Sequence, residues 1–207
     1  MKRSFLVTLL IALGFSTASQ TSASAAEAEH LKIDAAQSNF SVHVGRSGFL
    51  KMFGHDHNIA IKEFGGTAQF TPGAIEPATL EMTVKANSLA VTDNVSASDK
   101  AKIEQTMKDS VLEVAKYPNI VFKSRKITVA KADNGHGTAH IVGDLTLHGV
   151  TKPLSFDGAL EIGEHRLRAS GAFFLKQSDF GIKPTSVAGG TVKVKDQLKF
   201  SFDIVAH

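Results

Sequence analysis

The sequence lacks cysteine and tryptophan, and it contains a single tyrosine among 207 residues. Without cysteine the chain forms no disulfide, no thiolate metal site and no cysteine nucleophile. Its 23 basic and 20 acidic side chains leave a formal net charge of only +3. That balance provides no strongly basic surface, so we expect no nucleic-acid partner. The length is that of one domain.

Sequence signatures of catalysis are missing as well. The chain has no G-x-S-x-G elbow, no H-E-x-x-H zinc motif and no G-x-x-x-x-G-K-[ST] phosphate loop. We therefore predict a protein that is not an enzyme and that requires no cofactor.

The N-terminal segment has the features of an export signal. Lys2 and Arg3 precede an apolar run over residues 5–15, which is shorter than the roughly 20 residues of a membrane-spanning helix. A tract of small residues follows and permits cleavage just before Ala26 or Glu27. We predict a secretory signal peptide over residues 1–26, one mature domain over 27–207 and a periplasmic location. The alternative is a retained membrane anchor.

The mature chain is dominated by a hydrophobic period of two, which is typical of half-buried strands. In the clearest case, Leu198, Phe200 and Phe202 alternate with Lys199 and Ser201. We predict about eight such strands from this pattern. Short turns rich in glycine separate them, so neighbouring strands are antiparallel.

One segment departs from this pattern. Over residues 98–116, Ile103, Met107 and Val111 fall near helical spacing, Ser98 is suited to the N-cap, and Pro118 prevents continuation. We predict an amphipathic helix of about four turns. It covers an opening of the sheet or packs against its outer face.

Eight antiparallel strands close into a barrel or stack as a sandwich. A barrel of eight strands is just wide enough to hold one slender ligand. The alternative is an interior that the many phenylalanine side chains fill completely. Composition does not choose between these two interiors.

Four segments together resemble the YceI family of exported, lipocalin-like bacterial proteins. They are the opening strand at 33–40, the KYPNIVFKS segment at 116–124, the GDLTLHGVTKP hairpin at 143–153 and the SDFGI loop at 178–182. The resemblance runs in the expected order from about residue 31 to the C-terminus. It implies a mainly β fold, an extended eight-stranded antiparallel lipocalin-like β-barrel with one inserted helix, and a long apolar cavity that takes a polyisoprenoid chain.

We accordingly predict a binding protein for an isoprenoid lipid, such as an isoprenoid quinone or a polyprenyl chain, serving carriage, storage or protection of the envelope under stress. A transient membrane contact and a homodimer are both compatible with this role. The alternation of the strands assigns eleven side chains to the cavity wall, namely Phe40, Val42, Leu80, Met82, Phe122, Leu145, Leu147, Phe156, Phe173, Phe200 and Phe202.

A pair of histidines offers a second function. His55 and His57 lie on one face if they belong to a strand, about 7 Å apart at their Cα atoms. Such a pair suits a divalent metal in a metal-binding or redox-linked protein, with a third ligand from another histidine, His43, His136, His140 or His148. The alternative is a pair of hydrogen-bonding histidines at a turn or at the cavity mouth, in contact with a quinone carbonyl.

Overall fold

The computed structural model describes residues 28–47, 56–71, 74–187 and 192–207. The predicted signal peptide over 1–26 lies outside the described residues, and so does His55. The described strands are, in chain order, β1 Glu29–Val44, β2 Arg46–Ser47, β3 His57–Ile61, β4 Phe64–Thr71, β5 Ala74–Lys85, β6 Leu89–Val91, β7 Asn119–Asp133, β8 His136–Leu147, β9 Val150–Gly163, β10 Arg166–Lys176, β11 Ser186–Val187, β12 Val192–Val194 and β13 Gln197–Ala206.

Eight of these strands close into an antiparallel barrel in the order β1, β4, β5, β7, β8, β9, β10 and β13. The ring is closed by the pairing of the last strand with the first, in which Phe40 lies opposite Phe202 and Val42 opposite Phe200. Closure leaves no free edge in the ring. The predicted mainly β, lipocalin-like barrel is confirmed, and the sandwich is excluded.

One end of the barrel is extended by short strands. The first four residues of β1 pair with β4 and its last four residues pair with β3, which in turn pairs with β6. At the same end, β2 pairs with β12 and β12 with β11 in a separate three-stranded sheet. The extensions lengthen the barrel wall and form a rim at this end of the barrel, which we call the β2 end because β1 leads there directly into β2.

The barrel wall alternates between an inward apolar face and an outward polar face. On β8, every second residue from Ala139 to Leu147 is buried, and the residues that alternate with them are more exposed. The outward face carries cross-strand ion pairs. Arg168 holds Asp203 through two hydrogen bonds of 2.7 Å, which together lower the pKa of the Asp203 carboxyl.

The helix is shorter than the predicted 98–116. It comprises α1, Ala97–Thr106, followed by a single π-helical turn, Met107–Val111. Ser96, and not Ser98, is the N-cap: its hydroxyl accepts a hydrogen bond from the Asp99 amide at 3.1 Å. The helix ends early because the Leu112 amide donates to the Met107 carbonyl, which widens the last turn, and because Glu113 takes a φ of 47°.

No helix in the described part of the chain has the length and apolar character needed to cross a membrane.

Candidate functional site

The barrel encloses an apolar cavity of about 800 Å³. Its lining on β13 runs from Leu198 to Ala206, which corresponds to about 27 Å along the strand at roughly 3.4 Å per residue. The volume lies within the range of small-molecule sites, about 300–1,000 Å³. The eleven side chains that the sequence assigns to the wall all border this cavity, namely Phe40, Val42, Leu80, Met82, Phe122, Leu145, Leu147, Phe156, Phe173, Phe200 and Phe202.

Phenylalanine rings form a continuous stripe along one side of the cavity. The Phe173 ring stacks on Phe156 and on Phe200, with centroids 5.0 and 4.9 Å away. The stripe continues to Phe122 at one end and to Phe40 at the other. A filled core would bury these rings, yet all of them except Phe122 stay only partly buried inside the barrel. The rings therefore line the cavity without filling it.

The helical segment supplies a part of the cavity wall that strand alternation did not assign. Ile103, Met107, Val111 and Leu112 border the cavity at the β2 end, together with Leu89 of β6. Of the two predicted positions for the helix, the structure shows the one over an opening. The helical spacing of Ile103, Met107 and Val111 predicts that these side chains share one apolar face of the helix. Spacing alone does not predict which strands this face contacts.

Polar side chains border the cavity mainly at the β2 end. They come from the rim strands β2 and β12, from the start of β3 and from α1, and they include Arg46, His57, Ser96, Asp99, Lys102 and Lys193. Farther along the barrel, the described residues of the lining are apolar except for Gln69 and Thr79 on β4 and β5. The described part of the cavity thus has a long apolar section and a polar mouth at the β2 end.

A carboxylate fixes the His57 side chain at this mouth. Its Nδ1 lies 2.7 Å from Oδ2 of Asp93, which follows β6, and the imidazole is only 23% exposed. Burial acts to raise the pKa of Asp93, but hydrogen bonds from the Asn58 amide and from His57 outweigh it and lower that pKa. Asp93 is therefore an ionised acceptor that fixes the His57 ring.

The other histidines proposed as metal ligands contact separate partners. His43 Nδ1 lies 3.1 Å from the Asn58 side-chain oxygen, and His140 Nδ1 lies 2.7 Å from Asp157. His136 borders a shallow polar depression apart from the barrel cavity. Among the described residues no three His, Asp or Glu side chains converge in a metal-binding group. Because His55 is outside those residues, the metal site at His55 and His57 stays a prediction.

His148 occupies the turn of the HGVTKP hairpin. His148 and Gly149 have φ values of 52° and 73°, as the two central residues of a type I′ hairpin turn require. The His148 side chain does not bond to the hairpin: its Nε2 lies 2.9 Å from Glu113 Oε2, and its ring packs on Tyr117. The hairpin is thereby tied to the segment that follows the helix.

The chain matches the model of a known protein family. The family is the YceI-like domain, and the match covers residues 31–206, which include all eight barrel strands except the first two residues of β1. The chain belongs to the YceI family. A protein named UPF0312 from Pseudomonas syringae pv. tomato is 35% identical over 134 residues, covering 60% of this chain and 65% of its own length. The match thus spans less than two thirds of that relative.

Solved structures share the fold at low sequence identity. BcnA from Burkholderia cenocepacia superposes with a TM-score of 0.65 at 20% identity, over 84% of this chain and 99% of BcnA. A polyisoprenoid binding domain from Saccharophagus degradans, implicated in plant cell wall breakdown, superposes with a TM-score of 0.61 at 13% identity, over 86% of this chain and 97% of that domain. These likenesses establish the YceI-type barrel.

Proposed function

We propose that the chain is an exported, periplasmic protein that holds an isoprenoid lipid, an isoprenoid quinone or a polyprenyl chain, in its barrel cavity and performs no catalysis. The observation that carries the proposal is a long apolar cavity whose phenylalanine wall stays partly exposed inside a closed barrel. The polyisoprenoid-binding domain of Saccharophagus degradans, which shares the fold, supports an isoprenoid over a straight acyl chain. The role that we propose for it is carriage, storage or protection of the envelope under stress.

The hydrophobic effect is sufficient to retain such a cargo. Each buried CH₂ group contributes about 0.8 kcal/mol, so a five-carbon isoprene unit contributes about 4 kcal/mol before the cost of ordering the chain. A tail of several units therefore binds without any charged contact along the apolar section. The polar mouth leaves room for a head group.

Native mass spectrometry of the protein purified from its own periplasm tests the proposal. We expect an adduct whose mass equals that of an isoprenoid lipid. A protein that is uniformly free of ligand and that also fails to take up ubiquinone or polyprenol would contradict it.

A matched pair of substitutions on β10 tests whether the cavity is the binding site. Ala169 borders the cavity, whereas Ala172 lies on the outward face of the same strand. We expect Ala169→Phe to reduce lipid uptake at least tenfold because the added ring occupies the path of the tail. Ala172→Phe retains wild-type uptake. Equal uptake by the two variants would place the lipid outside the barrel.

The histidine alternative is a metal-binding or redox-linked role for His55 and His57. Its test is elemental analysis of the purified protein together with a double substitution, His55→Ala and His57→Ala. Absence of bound metal and a double variant that functions as the wild type would end this alternative.

A further inference from the structure

The pair of His57 and Asp93 defines the hydrogen-bonding character of the cavity mouth. His57 is the first residue of β3 and lies opposite Val44 of β1, and its side chain borders the cavity. Asp93 does not border the cavity but sits behind the imidazole, 2.7 Å from Nδ1. The ring nitrogen Nδ1 therefore faces the Asp93 carboxylate, and Nε2 is the remaining polar atom of the imidazole.

The Asp93 carboxylate can only accept hydrogen bonds. Its Oδ1 receives the Asn58 amide at 2.9 Å and the Asn58 side-chain amide at 3.3 Å, and its Oδ2 faces His57. These bonds stabilise the charged form, which has no proton to donate. The proton of the Nδ1···Oδ2 contact must then reside on Nδ1. In a neutral imidazole this leaves a lone pair on Nε2.

We propose that His57 Nε2 accepts a hydrogen bond from a hydroxyl group on the head of the bound lipid, so that the mouth favours a hydroxyl-bearing isoprenoid over a quinone. This inference rests on the proposed function. Among the residues that the structure describes, Nε2 has no hydrogen-bond partner of its own. A quinone carbonyl has lone pairs only and would face another lone pair, whereas the hydroxyl of a hydroquinone or of a polyprenol has a proton to donate.

Binding of four lipids to the purified protein tests the inference. They are the hydroquinone and quinone forms of one isoprenoid, a polyprenol, and squalene, a hydrocarbon without a head group. We expect the hydroquinone to bind about fivefold more tightly than the quinone, the equivalent of one hydrogen bond of about 1 kcal/mol. The polyprenol should also bind more tightly than squalene, because only the polyprenol has a hydroxyl group. Equal affinity for these two lipids would limit the preference for a hydroxyl to the hydroquinone ring.

The variant Asp93→Asn tests the inference by reversing the expected preference between hydroquinone and quinone. The side-chain amide introduced by this substitution would donate to Nδ1, so the proton would move to Nε2 and the mouth would favour the quinone. Nitrogen-15 NMR reports this exchange directly, because it distinguishes the protonated from the unprotonated ring nitrogen of His57. Retained binding of squalene shows that the variant keeps its cavity. Asp157→Asn is the matched control, since Asp157 forms the same contact with His140 on the outward face.

His57→Phe is a second variant, which should remove the discrimination between the two redox forms. Equal affinity of the wild type for hydroquinone and quinone, or an Asp93→Asn variant that still favours the hydroquinone, would overturn the head-group assignment. Those results would leave the proposed function standing as long as the lipids bind. If none of the four lipids binds, both proposals fall together.

Discussion

Phe173 and Phe174 are adjacent on β10 and allow the contribution of the cavity wall to stability to be measured. Phe173 stacks between Phe156 and Phe200, whereas Phe174 points outward and is 55% exposed. Both lie opposite residues of β13 in the same register. Replacing either residue by alanine removes the same preference of phenylalanine for a β-strand. The two substitutions differ in the packing contacts that they remove.

The magnitude follows from the surroundings of each ring. Truncating a phenylalanine in a packed core costs about 3–5 kcal/mol, and Phe173 falls at the lower end because one side of its ring borders the cavity. We expect about 3 kcal/mol for Phe173→Ala and about 0.5–1 kcal/mol for Phe174→Ala, where only strand preference is lost. The difference of about 2 kcal/mol corresponds to about 6 °C in Tm for a domain of this size.

Urea unfolding of the ligand-free protein, followed by circular dichroism, measures both variants. The slope of the free energy of unfolding against urea should be unchanged, so that the midpoints report stability directly. If Phe174→Ala destabilises the protein as much as Phe173→Ala does, the stacked rings contribute nothing beyond strand preference, and the description of the cavity wall is wrong.

Two further predictions concern the barrel wall. The pKa of Asp203 is lowered in the folded state, so its ion pair with Arg168 stabilises the protein at pH values above the ordinary carboxyl pKa of 3.8, and this stabilisation is lost as the pH falls through the folded-state pKa. The Asp203→Asn variant should therefore unfold at a lower urea concentration than the wild type at neutral pH, and the two midpoints should converge in acid. A difference in midpoint that does not change with pH would contradict this. Gly143→Ala should lower the urea midpoint markedly, because the added Cβ would collide with the Lys123 carbonyl oxygen. Gly65→Ala is the control, since a Cβ there meets no atom within 4 Å, and equal midpoints for the two variants would refute the close approach at Gly143.

The inward face of the barrel could be predicted from local sequence because side chains alternate strictly along a strand. Once a strand such as β13 is placed, the parity of Phe200 and Phe202 follows without knowledge of its neighbours. This is why the eleven assigned side chains all border the cavity. The alternation of side chains does not predict that the sheet closes into a barrel. Closure depends on the pairing of β1 with β13, two segments at opposite ends of the domain, and only the family resemblance indicated it.

Features that depend on distant contacts escaped sequence analysis. The pair of His57 and Asp93 joins positions 36 residues apart, and His148 meets Glu113 across 35 residues. The early end of the helix likewise depends on the π-helical turn at 107–111, which helical spacing does not encode. The choice of Ser96 over Ser98 as the N-cap was a local error of two residues, of the size expected where both residues are serine.

The helix over the barrel opening has a consequence for how a filled and an empty protein differ. None of the residues of α1 is buried. Ile103 of α1 and Met107 of the π-helical turn pack in part against the cluster that contains Ile59 and Val91, and both also border the cavity. A lipid held in the cavity, as proposed above, would therefore add contacts to a helix that the barrel wall covers only in part. Amide hydrogens of α1 should accordingly exchange with deuterated solvent more slowly when such a lipid is bound.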